Sequence, residues 1–485
     1  MTTRTASHRI GGTWVRSGPT APCFDPATGD PVASLYEGGA VEAEAAVEAA
    51  RHAFETTAWA HAPRLRAAVL LAFADRLESR AMEVARWLTL TNGKVLRESL
   101  GEVAAGVSEL RYYAGLARNI FGRHTQIDEG KYSLLSREAA GVVAIIAPWN
   151  APVTLLIRSL APAMAAGCTS VVKGAHQTAV VTDLVLECLD GIPNLPAGVI
   201  NHFHETGVAG AQVLTTHPEV DVVSFTGSAA TGKRIMAAAS DTLKRLSLEL
   251  GGKAPCLVFE DADIPAAVAG IAAGVTVLSG QMCVSATRAI VQESVVKPLR
   301  EALCKHFEAL VVGPGIDPRS GMGPLIDIPS RDRVLAMAGS ARHIVLPVRI
   351  PDDLPRAGAF LCPGITEEMD LSSPHVQEEI FGPVLNIEVV QDEEAAVARA
   401  NATRYGLAAS LWTRDLHRAS RVSRQLRAGT VWVNSHGRLF PEAETGGWRE
   451  SGFGRLHGVE GLNDFLQTKH VYHEDIPAVP STVPA

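Results

Sequence analysis

A single cysteine lies in the glycine-containing segment 279–285 (SGQMCVS), between an apolar stretch and the strand-like sequence RAIVQE. The thiolate of cysteine is a strong nucleophile, so Cys283 is a candidate for covalent catalysis. The alternative is a small packed hydrophobe, because free cysteine is one of the residue types most often buried. The position of Cys283 alone does not decide between the two interpretations.

A carboxylate stands at the end of a second apolar segment. Glu249 closes the strand-like sequence LSLE and is followed by Gly251 and Gly252, which could let it move. A half-buried carboxylate has a raised pKa, as a general base near neutral pH requires. The alternative is a structural ion pair, for instance with Lys253.

An asparagine is held between two prolines in the sequence APWNAPVTLLIR. Pro148 and Pro152 stiffen the chain around Asn150, where a strand gives way to a helix. A fixed side-chain amide can donate a hydrogen bond to an oxyanion as it develops. The alternative is an N-cap for the helix that follows.

Two further sequences are suited to binding an anion such as a pyrophosphate. In 225–232 (FTGSAATG), Gly227 allows close backbone approach or positive φ, Ser228 can cap the following helix, and Gly232 lets that helix pack closely. Free amides at a helix N-terminus bind anions. Lys173 ends the strand-like SVVK, and ligands of open α/β sheets bind at the carboxyl ends of strands. The alternatives are an ordinary strand-to-helix turn and a solvated lysine.

The elements that must position these residues alternate regularly from residue 141 onward. Apolar strand-like runs (GVVAIIA, TSVVK, GVIN, VDVVSF, RLSLEL) are separated by segments with helical spacing, which predicts a doubly wound parallel sheet. A second α/β block is predicted over about 250–460. Helices are predicted over 41–56 and 64–92, and strands at 132–137 and 466–474 lie outside both blocks.

Composition restricts the class of protein. The 485 residues are 47% hydrophobic and 20% charged, with a net charge of −8, which predicts a soluble globular protein that binds neither nucleic acid nor a membrane. The seven cysteines are scattered without a CxxC pair, which fits a reducing compartment and gives no signal for a metal. The N-terminus has no apolar core of a signal peptide, so we expect a cytoplasmic location.

Seven motifs in order make the sequence resemble the NAD(P)-dependent aldehyde dehydrogenase superfamily over nearly the whole chain. They are PWN at 148–150, FTGS at 225–228, ELGGK at 249–253, GQMC at 280–283, EEIFGPV at 378–384, NATRYGLAAS at 401–410 and SGFGR at 451–455. The resemblance implies an α/β fold with a Rossmann-type dinucleotide-binding domain, an α/β catalytic domain and a small β oligomerisation extension.

The resemblance also implies roles for individual residues. Cys283 would attack the aldehyde to form a thiohemiacetal and later a thioester, Glu249 would activate the hydrolytic water, and Asn150 would stabilise the oxyanion. The cofactor NAD, with NADP as an alternative, would be bound by Trp149, Lys173, His176, Thr226, Gly227, Ser228, Gly232, Glu379 and Phe381.

Departures from the family pattern bear on specificity. His176 stands where the family's lysine motif usually has a glutamate that grips the adenine ribose, which leaves the choice between NAD and NADP open. Thr445 replaces an aromatic residue usually near the substrate. Arg158 lies eight residues after Asn150, so it should face the same side of the helix.

Arg158 suggests a substrate with a polar group, and an aromatic or ring-bearing aldehyde is favoured. A semialdehyde held by Arg158 is the alternative, disfavoured because Val277 occupies the position of a second arginine that succinate-semialdehyde dehydrogenases usually have. A surface ion pair is the structural alternative for Arg158. CoA-acylating or non-catalytic members of the family are disfavoured by the presence of Glu249.

The expected domain boundaries follow the same resemblance. A dinucleotide-binding domain should comprise residues 1–120 and 140–250, a catalytic domain 251–463, and an oligomerisation extension 121–139 and 464–476, with a flexible tail at 477–485. The extension should pair with a neighbour's sheet edge in a homodimer or homotetramer.

Overall fold

The computed structural model describes residues 4–475, which form an α/β fold with four sheets. The strands are β1 (Thr5–Ala6), β2 (His8–Ile10), β3 (Thr13–Val15), β4 (Thr20–Phe24), β5 (Pro31–Tyr36), β6 (Arg123–Asp128), β7 (Lys131–Ala139), β8 (Val142–Ile146), β9 (Thr169–Lys173), β10 (Ile200–Phe203), β11 (Val222–Thr226), β12 (Arg245–Glu249), β13 (Pro255–Val258), β14 (Arg288–Gln292), β15 (Ile344–Leu346), β16 (Gly364–Glu367), β17 (Val384–Val390), β18 (Ala408–Trp412), β19 (Thr430–Val433), β20 (Gly452–Phe453) and β21 (Leu466–Glu474). The α-helices are α1 (Ala40–Thr56), α2 (Pro63–Ser79), α3 (Ala81–Asn92), α4 (Leu96–Leu116), α5 (Pro152–Ala166), α6 (Ala179–Glu187), α7 (Ala209–Thr216), α8 (Ala229–Ala239), α9 (Ile264–Thr276), α10 (Glu293–Glu308), α11 (Ile328–Gly339), α12 (Pro374–Gln377), α13 (Glu393–Ala400) and α14 (Leu416–Gln425).

The first sheet has eight strands in the order β20-β12-β11-β8-β9-β10-β2-β3, and its five central strands are parallel. The chain passes from β8 outward to β9 and β10, then returns to β11 and β12 on the other side of β8. The strand order therefore reverses between β8 and β11, and ligands of such sheets bind at the carboxyl ends of the strands at this point. Asn150 follows β8, and Thr226–Ser228 follow β11.

Helix α5 connects β8 to β9 and lies in the interior. Pro152 occupies its first turn, where a missing N–H costs nothing, and Gly167 ends it with φ +98°. All but one of its residues are buried, because α5 packs between the sheet and α4. Arg158 therefore lies in the interior, and the prediction of a surface ion pair for it is wrong.

The second sheet has seven strands in the order β15-β16-β17-β14-β13-β18-β19, and only the pairing of β15 with β16 is antiparallel. Central strands such as β14 are buried at every residue, as continuous apolar runs in parallel sheets are. Cys283 lies in the connection between α9 and β14.

The predicted extension forms a separate antiparallel sheet in the order β21-β7-β6. Strand β21 has the predicted bounds 466–474, and β7 is longer than the predicted 132–137 at both ends. Strand β20, which the predicted boundary at 463 assigns to the second domain, instead pairs with β12 of the first sheet, Glu249 opposite Gly452. The domain boundaries remain a prediction, and residue 476 and the tail 477–485 lie outside the described residues.

Strands β2 and β3 extend the first sheet beyond β10, and the sequence pattern did not predict them. A further small sheet, β1-β5-β4, also comes from the N-terminal region. Among residues 4–475, no helix combines the length and the apolar character needed to cross a membrane.

Candidate active site

A cavity of about 310 Å³ opens where the first and second sheets meet. It collects residues from the ends of β8, β11 and β12, from the cysteine loop and from the segment before β17. Its lining comprises Pro148, Trp149, Asn150, Thr226, Gly227, Ser228, Glu249, Leu250, Gly251, Cys283, Arg333, Glu379 and Phe381. Lys173, His176, Gly232, Arg158 and Thr445 lie outside this lining.

The loop that carries Cys283 has a strained backbone. Leu278 and Ser279 have φ of 50° and 57°, and Gly280 follows with φ +75°. A Cβ on Gly280 would lie 2.2 Å from the carbonyl carbon of Gly382, so only glycine fits there. Left-handed backbone in non-glycine residues costs free energy and persists where the surroundings impose it.

Burial and neighbouring charges act in opposite directions on the pKa of the Cys283 thiol. Burial raises the pKa of its thiol to about 11, with contributions from Glu249 and Glu379, while Arg158 acts in the opposite direction. The thiol is therefore protonated at neutral pH and needs a base to become a nucleophile. The other cysteines of the chain are also free thiols.

Asn150 is buried beside the cysteine loop. Its Nδ2 donates to the carbonyl of Gln281 over 2.9 Å, and this amide nitrogen carries a second hydrogen. Its own carbonyl accepts from the Lys94 ammonium at 2.7 Å. The N-cap of α5 is Ala151, without a side-chain cap, so the alternative of a capping role for Asn150 is wrong.

Glu249 is 5% exposed, and its Oε1 has no hydrogen-bond partner among the described residues. Burial raises the pKa of its carboxyl, and the charges of Arg158, His457 and Arg455 lower it. The buried Nζ of Lys253 likewise has no partner in the described part of the chain, so an ion pair between these two residues is not formed.

Arg158 is 5% exposed. Its Nη2 donates to Thr226 Oγ1 at 3.3 Å, and its Nε has no partner among residues 4–475. The guanidinium influences the pKa of both Cys283 and Glu249. That Arg158 faces the same side of α5 as Asn150 remains a prediction, because Asn150 lines the cavity and Arg158 does not.

The turn after β11 has the local geometry that the sequence predicts. Ser228 is the N-cap of α8, and its Oγ accepts from the N–H of Thr231 at 3.2 Å. A Cβ on Gly227 would lie 2.5 Å from the ring of Phe225, and one on Gly232 would lie 2.6 Å from Leu250. A larger residue at either position would displace these side chains, and Ser228 at the start of α8 lines the cavity.

Lys173 ends β9 and His176 follows this strand, and neither lines the cavity. The Lys173 ammonium lies 3.9 Å from the carboxylate of Glu205, and burial lowers its pKa. Burial and the charge of Lys173 lower the pKa of His176, while Glu37 acts on both residues in the opposite direction. Glu37 Oε1 accepts from the N–H and hydroxyl of Thr206, and its Oε2 has no partner in the described part of the chain.

The segment before β17 forms the opposite wall of the cavity. Burial raises the pKa of Glu379 to about 7, and its Oε1 accepts from the N–H of Gly252 at 3.1 Å. Phe381, with φ 57°, meets Trp149 edge to face at 5.6 Å between ring centroids. Arg333 of α11 also lines this wall and was not predicted, because it belongs to none of the seven motifs.

Two buried residues that the sequence analysis did not single out support the Trp149–Asn150 turn. Lys94 forms a buried ion pair with Glu102, whose other oxygen accepts from the N–H of Val153 at 2.8 Å. Lys94 and Glu102 are distant in sequence from the turn, and the packing of α4 on α5 brings them to it.

Thr445 is half-buried outside the cavity lining and makes reciprocal backbone hydrogen bonds with Leu456. Its predicted position near the substrate remains a prediction.

Comparisons with known proteins show which family the chain resembles over its length. The model of the aldehyde dehydrogenase family matches residues 14–471. The phenylacetaldehyde dehydrogenase of Pseudomonas fluorescens is 37% identical over 481 residues, which cover 95% of this chain and 94% of that protein. A point mutant of betaine aldehyde dehydrogenase from Staphylococcus aureus, solved with NAD+, superposes with a TM-score of 0.95 at 34% identity, covering 99% of this chain and 98% of the other. An NADP-dependent enzyme of Escherichia coli has a TM-score of 0.93 at 33% identity, with coverage of 97% and 98%.

Proposed function

The chain belongs to the aldehyde dehydrogenase family and is an NAD(P)-dependent enzyme, and we propose that it oxidises an aldehyde through a thioester on Cys283. The observation that carries this proposal is the convergence of Cys283, Glu249 and Asn150 on one cavity. The thiol sulfur attacks the aldehyde carbon and forms a thiohemiacetal, which oxidation converts into a thioester.

Glu249 acts as the general base in this proposal. It is the buried carboxylate that lines the same cavity as Cys283 and influences the pKa of the thiol. Its oxygen Oε1 is free to accept a proton, first from the thiol and later from the hydrolytic water. Attack of that water breaks the carbon–sulfur bond and releases the acid. A thioester transfer to coenzyme A would not need this base, so hydrolysis is favoured.

Asn150 stabilises the oxyanion in both steps. One of its Nδ2 hydrogens is used by the Gln281 carbonyl, which fixes the amide plane and leaves the other hydrogen for the substrate oxygen. Preorganised donors of this kind lower the barrier because they need no reorientation during the reaction.

The residues fit a bound dinucleotide, which when bound supplies the acceptor for the hydride. Gly227 and the capped N-terminus of α8 offer backbone amides to a pyrophosphate at the reversal point of the first sheet. A Cβ on Gly251 would lie 2.3 Å from Glu379 Oε2, so a larger residue there would displace the Glu379 carboxylate. Lys173 and His176 would bind the adenosine ribose, and Trp149 and Phe381 would bound the nicotinamide.

We propose an aromatic or ring-bearing aldehyde with a polar group as the substrate. The buried guanidinium of Arg158 favours a hydrogen-bond acceptor or an anion near the cavity and repels a quaternary ammonium group such as that of betaine aldehyde. The similarity to phenylacetaldehyde dehydrogenase is consistent with this choice. An anionic semialdehyde, paired with Arg158, is the second candidate.

A steady-state screen tests this proposal. Phenylacetaldehyde, succinate semialdehyde and betaine aldehyde would each be assayed with NAD+ and with NADP+. We expect the highest kcat/KM for phenylacetaldehyde and the lowest for betaine aldehyde. An Arg158→Met variant should selectively lose succinate semialdehyde if the second candidate is correct. Preference for betaine aldehyde would overturn the proposed substrate class.

A further inference from the structure

Cys283 lies in a tight turn of the loop before β14. The N–H of Ser285 donates to the carbonyl of Met282 at 3.0 Å, which closes a β-turn with Cys283 and Val284 as its central residues. In such a turn, the direction of a central side chain depends on how the peptide groups are oriented. The position of the Cys283 sulfur therefore depends on what holds the carbonyls of this loop.

Side chains from two distant parts of the chain hold carbonyls on either side of Cys283. Asn150 Nδ2 donates to the carbonyl of Gln281 at 2.9 Å. The Nε2 of His436 lies 2.8 Å from the carbonyl oxygen of Val284. A carbonyl can only accept a hydrogen bond, so this ring nitrogen carries the hydrogen and donates. The nucleophile thus lies between the proposed oxyanion donor and one histidine.

The other ring nitrogen of His436 stabilises this tautomer. Its Nδ1 lies 3.0 Å from the Oγ of Ser410 and 3.8 Å from the Sγ of Cys256. Both of these residues are fully buried, and strand pairing places them opposite each other on β18 and β13. Burial raises the pKa of the Cys256 thiol to about 12 and lowers that of His436 to about 4. A neutral imidazole with a hydroxyl and a thiol at Nδ1 keeps its hydrogen on Nε2, toward Val284.

Packing restrains the ring of His436. A Cβ on Gly274 of α9 would lie 2.5 Å from the ring carbon Cδ2, so the glycine makes room for the imidazole. Trp432 packs against the ring with 5.0 Å between the centroids. Asn434, two residues before the histidine, has φ 51° and exchanges two hydrogen bonds with the backbone of Thr413. These contacts hold the ring in the place from which Nε2–H donates.

We propose that His436 is a positioning residue that holds the Cys283 turn in register with Asn150. This rests on the proposed roles of Cys283 as nucleophile and Asn150 as oxyanion donor. When the sulfur attacks a carbonyl carbon, the carbonyl oxygen has to meet the Asn150 amide, so the sulfur and the amide need a fixed separation. Displacement of a reacting group by about 1 Å can lower a rate by up to about 10²-fold. Without the bond from His436, the Val284 carbonyl can turn and the loop loses this restraint.

Acylation of the full-length enzyme by p-nitrophenyl acetate measures attack by Cys283 directly. The thiol proton passes to the base, the sulfur bonds to the acetyl carbon and p-nitrophenolate departs, so the burst rate reports this step alone. His436→Met and His436→Gln have similar side-chain volumes, and only glutamine offers an N–H to the Val284 carbonyl. We expect His436→Met to lower the burst rate about tenfold and His436→Gln to stay within about threefold of the wild type. The affinity for NAD+, measured by calorimetry, should be unchanged in both variants.

A double-mutant cycle with Asn150→Ala separates positioning from a packing role. If His436 keeps the turn in register with Asn150, His436→Met should slow the burst only about twofold in the Asn150→Ala background. A packing role would give the same loss in both backgrounds.

A second variant and a control complete the experiment. If His436→Met does not fold, Ser410→Ala takes its place, because it leaves Nδ1 with only the weaker thiol donor. Its burst rate should fall about threefold in the wild-type background and stay unchanged in the Asn150→Ala background. His417→Met alters an exposed histidine of α14 and should leave the burst rate as in the wild type.

Other outcomes have definite meanings. An unchanged burst rate in His436→Met, equal losses in His436→Met and His436→Gln, or full additivity with Asn150→Ala would each overturn the inference. Cys283→Ser tests the proposed function separately. If that variant keeps the burst and the dehydrogenase activity, the role of Cys283 is itself wrong. If it loses both and His436→Met behaves like the wild type, only the inference about His436 fails.

Discussion

At the scale of single residues, Cys283, the proposed nucleophile, can be told apart from another half-buried cysteine by its surroundings. Cys283 is half-buried in the cavity, whereas Cys304 is half-buried on α10 outside its lining. Cys283→Ser should abolish dehydrogenase activity and leave NAD+ binding intact, because only the nucleophilic atom changes. Cys304→Ser is the matched control and should retain normal turnover. Activity would be measured as NADH formation and binding by calorimetry; near-normal turnover of Cys283→Ser would rule out the covalent mechanism.

A separate prediction concerns the role of Glu249 in thioester hydrolysis. Glu249→Gln keeps the size of the side chain and removes the base, so thioester hydrolysis should slow by roughly 10²-fold or more. The acyl-enzyme should then accumulate after a burst of NADH and be detected by intact mass. Because burial raises the pKa of this carboxyl, activity of the wild type should fall on the acid side at a higher pH than the titration of an exposed glutamate would give. Failure to trap acyl-enzyme would argue against a hydrolytic role for Glu249.

We expect the choice between NAD+ and NADP+ to depend on the charges around Lys173 and His176. His176 has a lowered pKa and is neutral at pH 7, so it neither repels nor strongly attracts a 2′-phosphate. A carboxylate introduced next to the 2′-phosphate would weaken NADP+ binding by roughly 1–2 kcal/mol, or ten- to thirtyfold in affinity, because both groups are negative. His176→Glu should therefore strengthen the preference for NAD+ by weakening NADP+ binding, with little effect on NAD+ turnover.

The structure adds a control for this prediction. Glu37 influences both Lys173 and His176, so Glu37→Gln should shift the preference in the opposite direction, toward NADP+. The measurement is the ratio of kcat/KM for the two cofactors in wild type and in each variant. Rejection of NADP+ by more than about a thousandfold in the wild type would mean that His176 is not the determinant.

At the scale of elements, a buried cluster joins the N-terminal strands to the first sheet. Asp183 of α6 accepts hydrogen bonds through Oδ1 from His202 at 3.0 Å and His204 at 2.6 Å, and through Oδ2 from the N–H of Ser7 at 2.7 Å. His8 accepts from the N–H of His204 at 3.1 Å. Asp183, His202 and His204 are a possible set of metal ligands by type, but the carboxylate already accepts from three donors, so we interpret the cluster as structural.

This cluster predicts a dependence of stability on pH. Burial lowers the pKa of His202 to about 4, against the opposing effect of Asp183, while His204 and Arg9 lower it further. Between about pH 6.5 and 4 the unfolded chain binds a proton that folded His202 does not, so stability should decrease as pH falls through this window. His202→Gln removes the group that binds this proton. Across this pH window the free energy of unfolding should then change by up to roughly 3 kcal/mol less than in the wild type. Urea unfolding at several pH values, compared with His52→Gln on α1, would test it; parallel curves for the wild type and His202→Gln would contradict the assignment.

The same elements show what the sequence could and could not predict. Strands β8, β9, β11 and β12 were predicted to within about two residues, because fully buried strands are continuous apolar runs. Strands β2, β3 and β20 were missed because they have two or three residues and depend on pairing with distant strands. The cluster at Asp183 and the hydrogen bond between His436 and Val284 were missed for the same reason. His8 and His204 are 196 residues apart, and no local pattern records such a contact.

At the scale of the whole molecule, the folded chain brings motifs from two α/β regions to one cavity. Asn150 and Glu249 come from the first sheet, and Cys283 and Glu379 come from the second region. Strand β20 then returns to the first sheet, where Gly452 pairs with Glu249. The motifs of the resemblance include the cavity residues apart from Arg333. The chain crossing that connects the two regions became evident only from the strand pairing.

The last prediction concerns the assembly of protomers through the extension. The sheet β21-β7-β6 has two unpaired edges, and every residue of β21 after Leu466 is at least partly exposed. Tyr472 on this strand is 48% exposed. A long open edge with exposed apolar side chains favours pairing with another chain, so we expect a homodimer or homotetramer in which β21 joins a sheet edge of the neighbour.

Light scattering at micromolar concentration should give two or four times the protomer mass. Tyr472→Asp should weaken the assembly, whereas Val41→Asp, on an α1 residue that is 76% exposed, should not. A monodisperse wild-type monomer would refute the pairing, since nothing else in the described chain covers this edge.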